Sequence, residues 1–197
     1  MLETIQQVEN ENQNQEHFVT FVSFNSYAIK NHLFNEPSKM FNALTSESFM
    51  PNGSTPLYDA MGSCLNRQRE AVAGEQNTEV LVTITTYGQE NASVEYDFRA
   101  IKGLLKELKD LGWTITYLCA NHDLEEFSVS IGIEHHHKFE ANEPDVTFCF
   151  ASERKSRKEF YKKAGVAEKG SYFADPDKSQ GQTNDQDKMN RAKAQRL

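Results

Sequence analysis

Residues 80–86 and 114–120 are apolar, β-branched runs of strand length, and what lies between them constrains the fold most. There Phe98, Ile101, Leu104, Leu105, Leu108 and Leu111 recur at the helical period until Gly112 stops the stripe. A strand, an amphipathic helix and a second strand in that order form a crossover unit, with the strands parallel and the helix covering one face of their sheet. The chain is thereby restricted to an α/β architecture.

The flanking segments extend the pattern. Residues 18–24 are a β-branched and aromatic run that reads as a mostly buried strand. Asn25 and Ser26 supply a turn, and residues 27–34 return as a short edge strand in which Lys30 and His32 would blunt an exposed edge. After an irregular stretch over residues 37–52, Ser54 or Thr55 is expected to cap a helix with Pro56 in its first position. Leu57, Ala60, Met61, Cys64 and Leu65 then share one face. Later, Asp123 can cap a short helix carrying Leu124 and Phe127. The order predicts a mostly parallel sheet with helices on both faces, and in such sheets ligands meet the loops at the carboxyl ends of the strands. Those loops hold Asn25 and Ser26, Gly53 to Thr55, Tyr87 to Ser93, and Asn121 with His122.

A chain of 197 residues suits one domain, placed at residues 17–165. Before it, residues 1–16 carry Leu2, Ile5 and Val8 among Gln, Asn and Glu, a pattern equally compatible with a worn helix or a disordered linker. After it, residues 166–197 are expected to be a disordered tail, almost free of apolar groups from Ala174 onward. A net charge of -8 argues against nucleic acid as the default partner. No apolar run approaches the roughly 20 residues of a membrane span, and no basic start leads into an apolar stretch as a secretion signal would. Cys64, Cys119 and Cys149 have no ligand-like spacing and sit in apolar segments, which fits reduced thiols in a cytoplasm.

Two motifs carry a resemblance. Asn52-Gly53-Ser54-Thr55-Pro56-Leu57-Tyr58-Asp59-Ala60 is followed by a strand that ends in Thr86-Tyr87-Gly88-Gln89-Glu90-Asn91-Ala92-Ser93. In content and order they resemble von Willebrand factor type A domains, closest to small bacterial stand-alone members. Tyr117 to Asp123 and Ile131-Gly132-Ile133 extend the resemblance over residues 18–140. It implies a Rossmann-like sheet in which residues 18–24 correspond to the family's second strand. The family's first strand, at the centre of the sheet and ending in a D-x-S-x-S loop, has no counterpart in this sequence. Residues 1–16 would then be what remains of the first helix.

Members of that family hold a divalent cation, usually magnesium, through two serines, a threonine and acidic residues. Of those ligands only Thr55 carries over, and Tyr87 stands where the family has an aspartate. Magnesium is usually held through at least one carboxylate, so a lone hydroxyl is a relic ligand and no cofactor is expected. Asp59, one turn after Thr55, and Glu90 are the carboxylates that could substitute. The alternative is that Asp59 stabilises the positive end of its helix and Glu90 is solvated.

Other groupings point less far. His135, His136 and His137 with Glu134 and His122 suggest zinc, but consecutive residues on an extended segment face opposite ways, and an edge strand is the simpler expectation. Residues 154–163 form a basic run with Phe160 and Tyr161 that could grip phosphates, but a solvated terminal helix packing Phe160 or Tyr161 on the sheet is the simpler expectation, which the overall acidity favours. Ser54 or Cys64 with His122 could be imagined as nucleophile and base, yet no nucleophile-elbow motif surrounds either. The expectation is a non-enzymatic, cytoplasmic protein-interaction module with impaired metal-dependent binding. Its partner surface would comprise Asn25, Ser26, Ser54, Thr55, Tyr87, Glu90 and Asn91. The partner could be one that supplies a strand, or another copy of the chain. The alternatives are a degenerate product without activity, and nucleic-acid binding through residues 154–163.

Overall fold

A computed structural model describes residues 15–40, 53–120, 124–140, 142–163 and 171–173. The expected N-terminal helix, His122, Asp123 and most of the expected tail lie outside these residues. What is described is a mixed α/β fold with two small sheets and four helices. The strands are β1 (Phe18–Asn25), β2 (Ala28–Pro37), β3 (Leu81–Thr86), β4 (Thr114–Ala120) and β5 (His135–Phe139); the helices are α1 (Leu57–Ala71), α2 (Phe98–Asp110), α3 (Leu124–Ile131) and α4 (Glu143–Lys162).

The crossover unit forms as the sequence predicts. β3, β4 and β5 are parallel and lie side by side in chain order, joined by α2 and α3. Asp97 caps α2 by accepting from Ala100 N, and after Gly112 the amide of Trp113 bonds back to Leu108 O. Ile101, Leu104, Leu105 and Leu108 pack with Leu57, Met61 and Leu65 of α1 over Ile84, Ile115, Tyr117 and Cys119 on one face of the sheet. On the other face Leu118, Ala120 and Phe139 meet Cys149 and Phe160 of α4, and Tyr172 and Phe173. β4 has a neighbour on each side, and Ile115 to Ala120 are all buried.

Two expectations change. The sheet is not continuous: β1 pairs antiparallel with β2 in a separate hairpin, and among the described residues neither strand bonds to β3, β4 or β5. The strand read as mostly buried buries only Val19, with the rest of β1 half-buried and Phe18 exposed. Pro56 stands at the N-cap of α1 rather than in its first turn, and no side chain of the flanking residues caps the helix from that position. No helix among the described residues is long and apolar enough to cross a membrane.

Candidate functional site

The start of α1 shows why the loops at the carboxyl ends of the strands hold a fixed shape. A helix leaves its first amides without intrahelical acceptors. Here they are satisfied from a distant loop: Tyr58 N donates to Glu90 Oε2 at 2.8 Å and Asp59 N donates to Ser93 Oγ at 3.0 Å. The second oxygen of Glu90 accepts from Ala92 N and Ser93 N, each at 2.8 Å, and Ser93 Oγ donates to Oε2 at 2.7 Å. Asp59 returns the arrangement. Its buried carboxylate accepts from Val94 N, Glu95 N and Tyr96 N at 2.8–2.9 Å. Asn91 closes it with a reciprocal pair, Thr55 N donating to Asn91 Oδ1 and Asn91 N to Thr55 O. The Tyr96 ring lies against Gly62 on α1, where a Cβ would come within 2.5 Å of the ring.

The electrostatics follow from these bonds. Burial alone would raise the Asp59 pKa, but the amides of Val94, Tyr96 and Glu95 outweigh it and hold the carboxyl below its ordinary value. Burial likewise pushes Glu90 up, while the Ser93 hydroxyl and the amides of Ser93, Tyr58 and Ala92 pull it down on balance. The Tyr58 phenol is raised, by burial first and then by the Glu90 charge.

Two glycines bring the other loops onto this clamp. Gly88 lies against Thr55, and a Cβ there would stand 2.6 Å from Thr55 Oγ1. At Gly53, with φ at +81°, a Cβ would stand 2.0 Å from Ser26 Oγ, so the hairpin turn closes directly on the loop before α1. Asn25 holds that turn by accepting from Tyr27 N and Ala28 N. The structure thus gathers Asn25, Ser26, Ser54, Thr55, Tyr87, Glu90 and Asn91 at one rim. Ser26, Ser54, Tyr87 and Asn91 are exposed; Asn25, Thr55 and Glu90 are half-buried. Tyr27, which the sequence placed at the start of the edge strand and not among the partner-binding residues, is the most exposed aromatic at this rim, at 77% against 59% for Tyr87. Tyr87 also packs edge-on against Phe139 at 5.5 Å between ring centres, reaching across the end of β4.

Residues offered as metal ligands fit a cation poorly. All four oxygens of Asp59 and Glu90 already accept hydrogen bonds that hold the loop, so an ion beside Thr55 would compete with those donors. Glu90 is therefore a helix-capping group and not the solvated side chain of the sequence reading. The three consecutive histidines divide as the alternation of a strand requires. His135 and His137 face α4, where His135 Nδ1 accepts from Tyr172 N at 3.4 Å and His137 stacks near Phe148 and Phe173. His136 pairs in register with Tyr117, whose ring belongs to the opposite face. Among the described residues no group of three or more metal-ligating side chains converges. Cys64 is half-buried on α1, and burial raises its thiol pKa, which disfavours the nucleophilic thiolate.

The basic run is not uniformly solvated. Arg157 is buried, donating from Nε and Nη2 to Glu153 Oε1 and from Nη2 to Thr83 Oγ1 at 2.7 Å, while Tyr172 Oη donates to the same Glu153 oxygen at 3.2 Å. Burial lowers the Arg157 pKa and the Glu153 charge more than restores it, so the guanidinium stays protonated. The i, i+4 spacing of Glu153 and Arg157 within the stripe of Cys149, Ser156 and Phe160 was the available signal for this pair. Lys162 pairs with Glu159 at the surface. Tyr172 and Phe173, which fall within the tail expected over residues 166–197 but before its apolar-poor part, are buried against α4 and β5. In comparisons with known proteins, no family model and no curated protein matches the chain.

Proposed function

We propose that this chain is a non-enzymatic, cytoplasmic protein-interaction module, similar in build to a von Willebrand factor type A domain, which engages its partner through the loop rim without a metal ion. The observation that carries this reading is the clamp. Asp59 and Glu90 are spent on fixing the rim, and what the rim then presents is Tyr27, Tyr87, Ser26, Ser54 and Asn91 on a pre-ordered backbone. Tyrosines give large amphipathic contact area at low entropic cost, and small polar residues beside them supply adaptable hydrogen bonds, a mixture typical of protein-binding loops. A Rossmann-like sheet with helices on both faces agrees with β3 to β5 and their helices. Nucleic-acid binding through residues 154–163 is disfavoured, since Arg157 and Lys162 already have acidic partners.

A photo-crosslinking side chain at position 87, in the full chain expressed in its own host, tests the reading. One discrete protein adduct is expected at position 87, diminished by Tyr27→Ala, with none from the same probe at Lys106 on the outer side of α2. No adduct at position 87, or equal adducts at both positions, would leave the degenerate-product alternative in its place.

A further inference from the structure

Residues 171–173 form a short turn docked on α4 and β5. Ser171 Oγ donates to Phe173 O at 2.9 Å, and the rings of Tyr172 and Phe173 lie edge-on to each other at 4.9 Å. Both rings are buried in one cluster with Phe139, Cys149 and Phe160. Two hydrogen bonds tie Tyr172 to different elements. Its hydroxyl donates to Glu153 Oε1 on α4 at 3.2 Å, and its amide donates to Nδ1 of His135, the first residue of β5, at 3.4 Å.

The second bond fixes the tautomer of His135. A neutral imidazole has one N–H and one acceptor nitrogen. Because Nδ1 accepts, the proton sits on Nε2, and the lone pair left for a second proton is the one that faces Tyr172 N. An imidazolium at this position sets N–H against N–H, and the bond is lost. The charges around the ring favour the neutral form. Lys109 of α2 and Lys163 of α4 bring positive charge, His136 adjoins the ring, and Thr116, its register partner on β4, is neutral. Glu134 pulls the other way but is paired with Lys109, and Glu159 of α4 is paired with Lys162. α3 lies on the opposite face of the sheet.

We propose that residues 171–173 are a pH-sensitive latch, docked on α4 and β5 while His135 is neutral and loosened when its Nδ1 takes up a proton. Docking and proton uptake oppose each other by linkage: a ring that binds protons about tenfold more weakly when docked makes docking about tenfold weaker at acid pH. Burial is the chief cause of that weaker proton binding, as it holds His135 below the usual 6.5. Loosening uncovers the side of α4 that carries Cys149 and Phe160. The latch lies at the amino end of β5, away from the rim, so the proposal goes beyond the loop-rim reading and does not require it.

Amide exchange of the full chain by NMR tests it, with rates corrected for their intrinsic pH dependence and the His135 ring titrated in the same samples. Between about pH 7.5 and about pH 5 the Tyr172 amide is expected to lose about 10-fold or more of its protection, following the His135 titration with a midpoint below 6.5. Throughout, it should stay at least about 10-fold less protected than Leu118 and Cys119 of β4. His135→Asn puts a non-titrating amide oxygen near the place of Nδ1 and should hold the loss within about 2-fold, whereas His137→Gln should leave the loss in place. The proposal fails if Tyr172 protection does not follow the His135 titration, or if it equals that of β4 at every pH, since release then needs global unfolding. It also fails if His135→Asn keeps the full loss or His137→Gln abolishes it. Should His135→Asn not fold, the coincidence of the two titrations in the native chain decides alone.

Discussion

Replacing Asp59 with asparagine keeps the shape of the side chain and removes its charge, which isolates what the clamp contributes. Three amides, from Val94, Glu95 and Tyr96, converge on the carboxylate. A hydrogen bond to a charged group is worth about 1.5–3 kcal/mol net, but the sum overstates the loss. The asparagine retains one acceptor, and Val94 and Glu95 belong to an exposed segment whose amides regain water once released. Turning the new amide nitrogen toward at least one N–H donor is nevertheless unavoidable, and the helix start loses a nearby negative charge. A cost of about 3 kcal/mol follows, a large share of a domain stability of about 5–15 kcal/mol. At about 2–4 °C per kcal/mol for a domain of this size, Tm should fall by about 6–12 °C in a calorimetric melt. The pH dependence carries a second signature. Because the folded carboxyl titrates below its unfolded value of 3.8, its contribution is complete above that value and is lost as pH falls through the folded pKa. The gap between native chain and variant should therefore narrow below about pH 4. A variant melting within about 1 °C of the native chain at neutral pH would refute the account of the clamp.

Arg157→Met should cost about 3–5 kcal/mol in urea denaturation by leaving Glu153 buried without its partner, and Glu153→Gln added to it should recover much of the loss. His135 and His137 are held below the usual histidine value of 6.5, chiefly by burial. The unfolded chain thus takes up protons first, so stability should drop as pH falls from 7.5 through 6.5 and level off below the folded values; the double change to glutamine should reduce that drop in urea midpoints. Ending the chain after Phe173 should leave Tm unchanged, whereas ending it at residue 170 removes two buried aromatics and should lower Tm by about 10 °C or more. Titration calorimetry with magnesium should show no site that Thr55→Ala abolishes; micromolar affinity lost in that variant would mean the carboxylates rearrange around an ion.

Sequence alone determined the elements in which one periodicity runs unbroken. The helix beginning at Phe98, and the strands beginning near Leu81 and Thr114, formed where predicted, although of the stripe from Phe98 to Leu111 only Ile101, Leu104, Leu105 and Leu108 are buried and both end residues are exposed. The loops that gather at the rim were also legible, since parallel strands present their carboxyl ends together. Tertiary structure decided the roles of the polar residues. Glu90 and Ser93 cap a helix more than thirty residues away, and Asp59 binds amides at a similar separation, so no local pattern distinguishes them from solvated or metal-binding side chains. Burial of Arg157 required Thr83 and Tyr172 to arrive from two other parts of the chain. Whether β1 belonged to one continuous sheet was likewise beyond local reading, because a strand's side-chain pattern records which faces are covered and not which edges are paired.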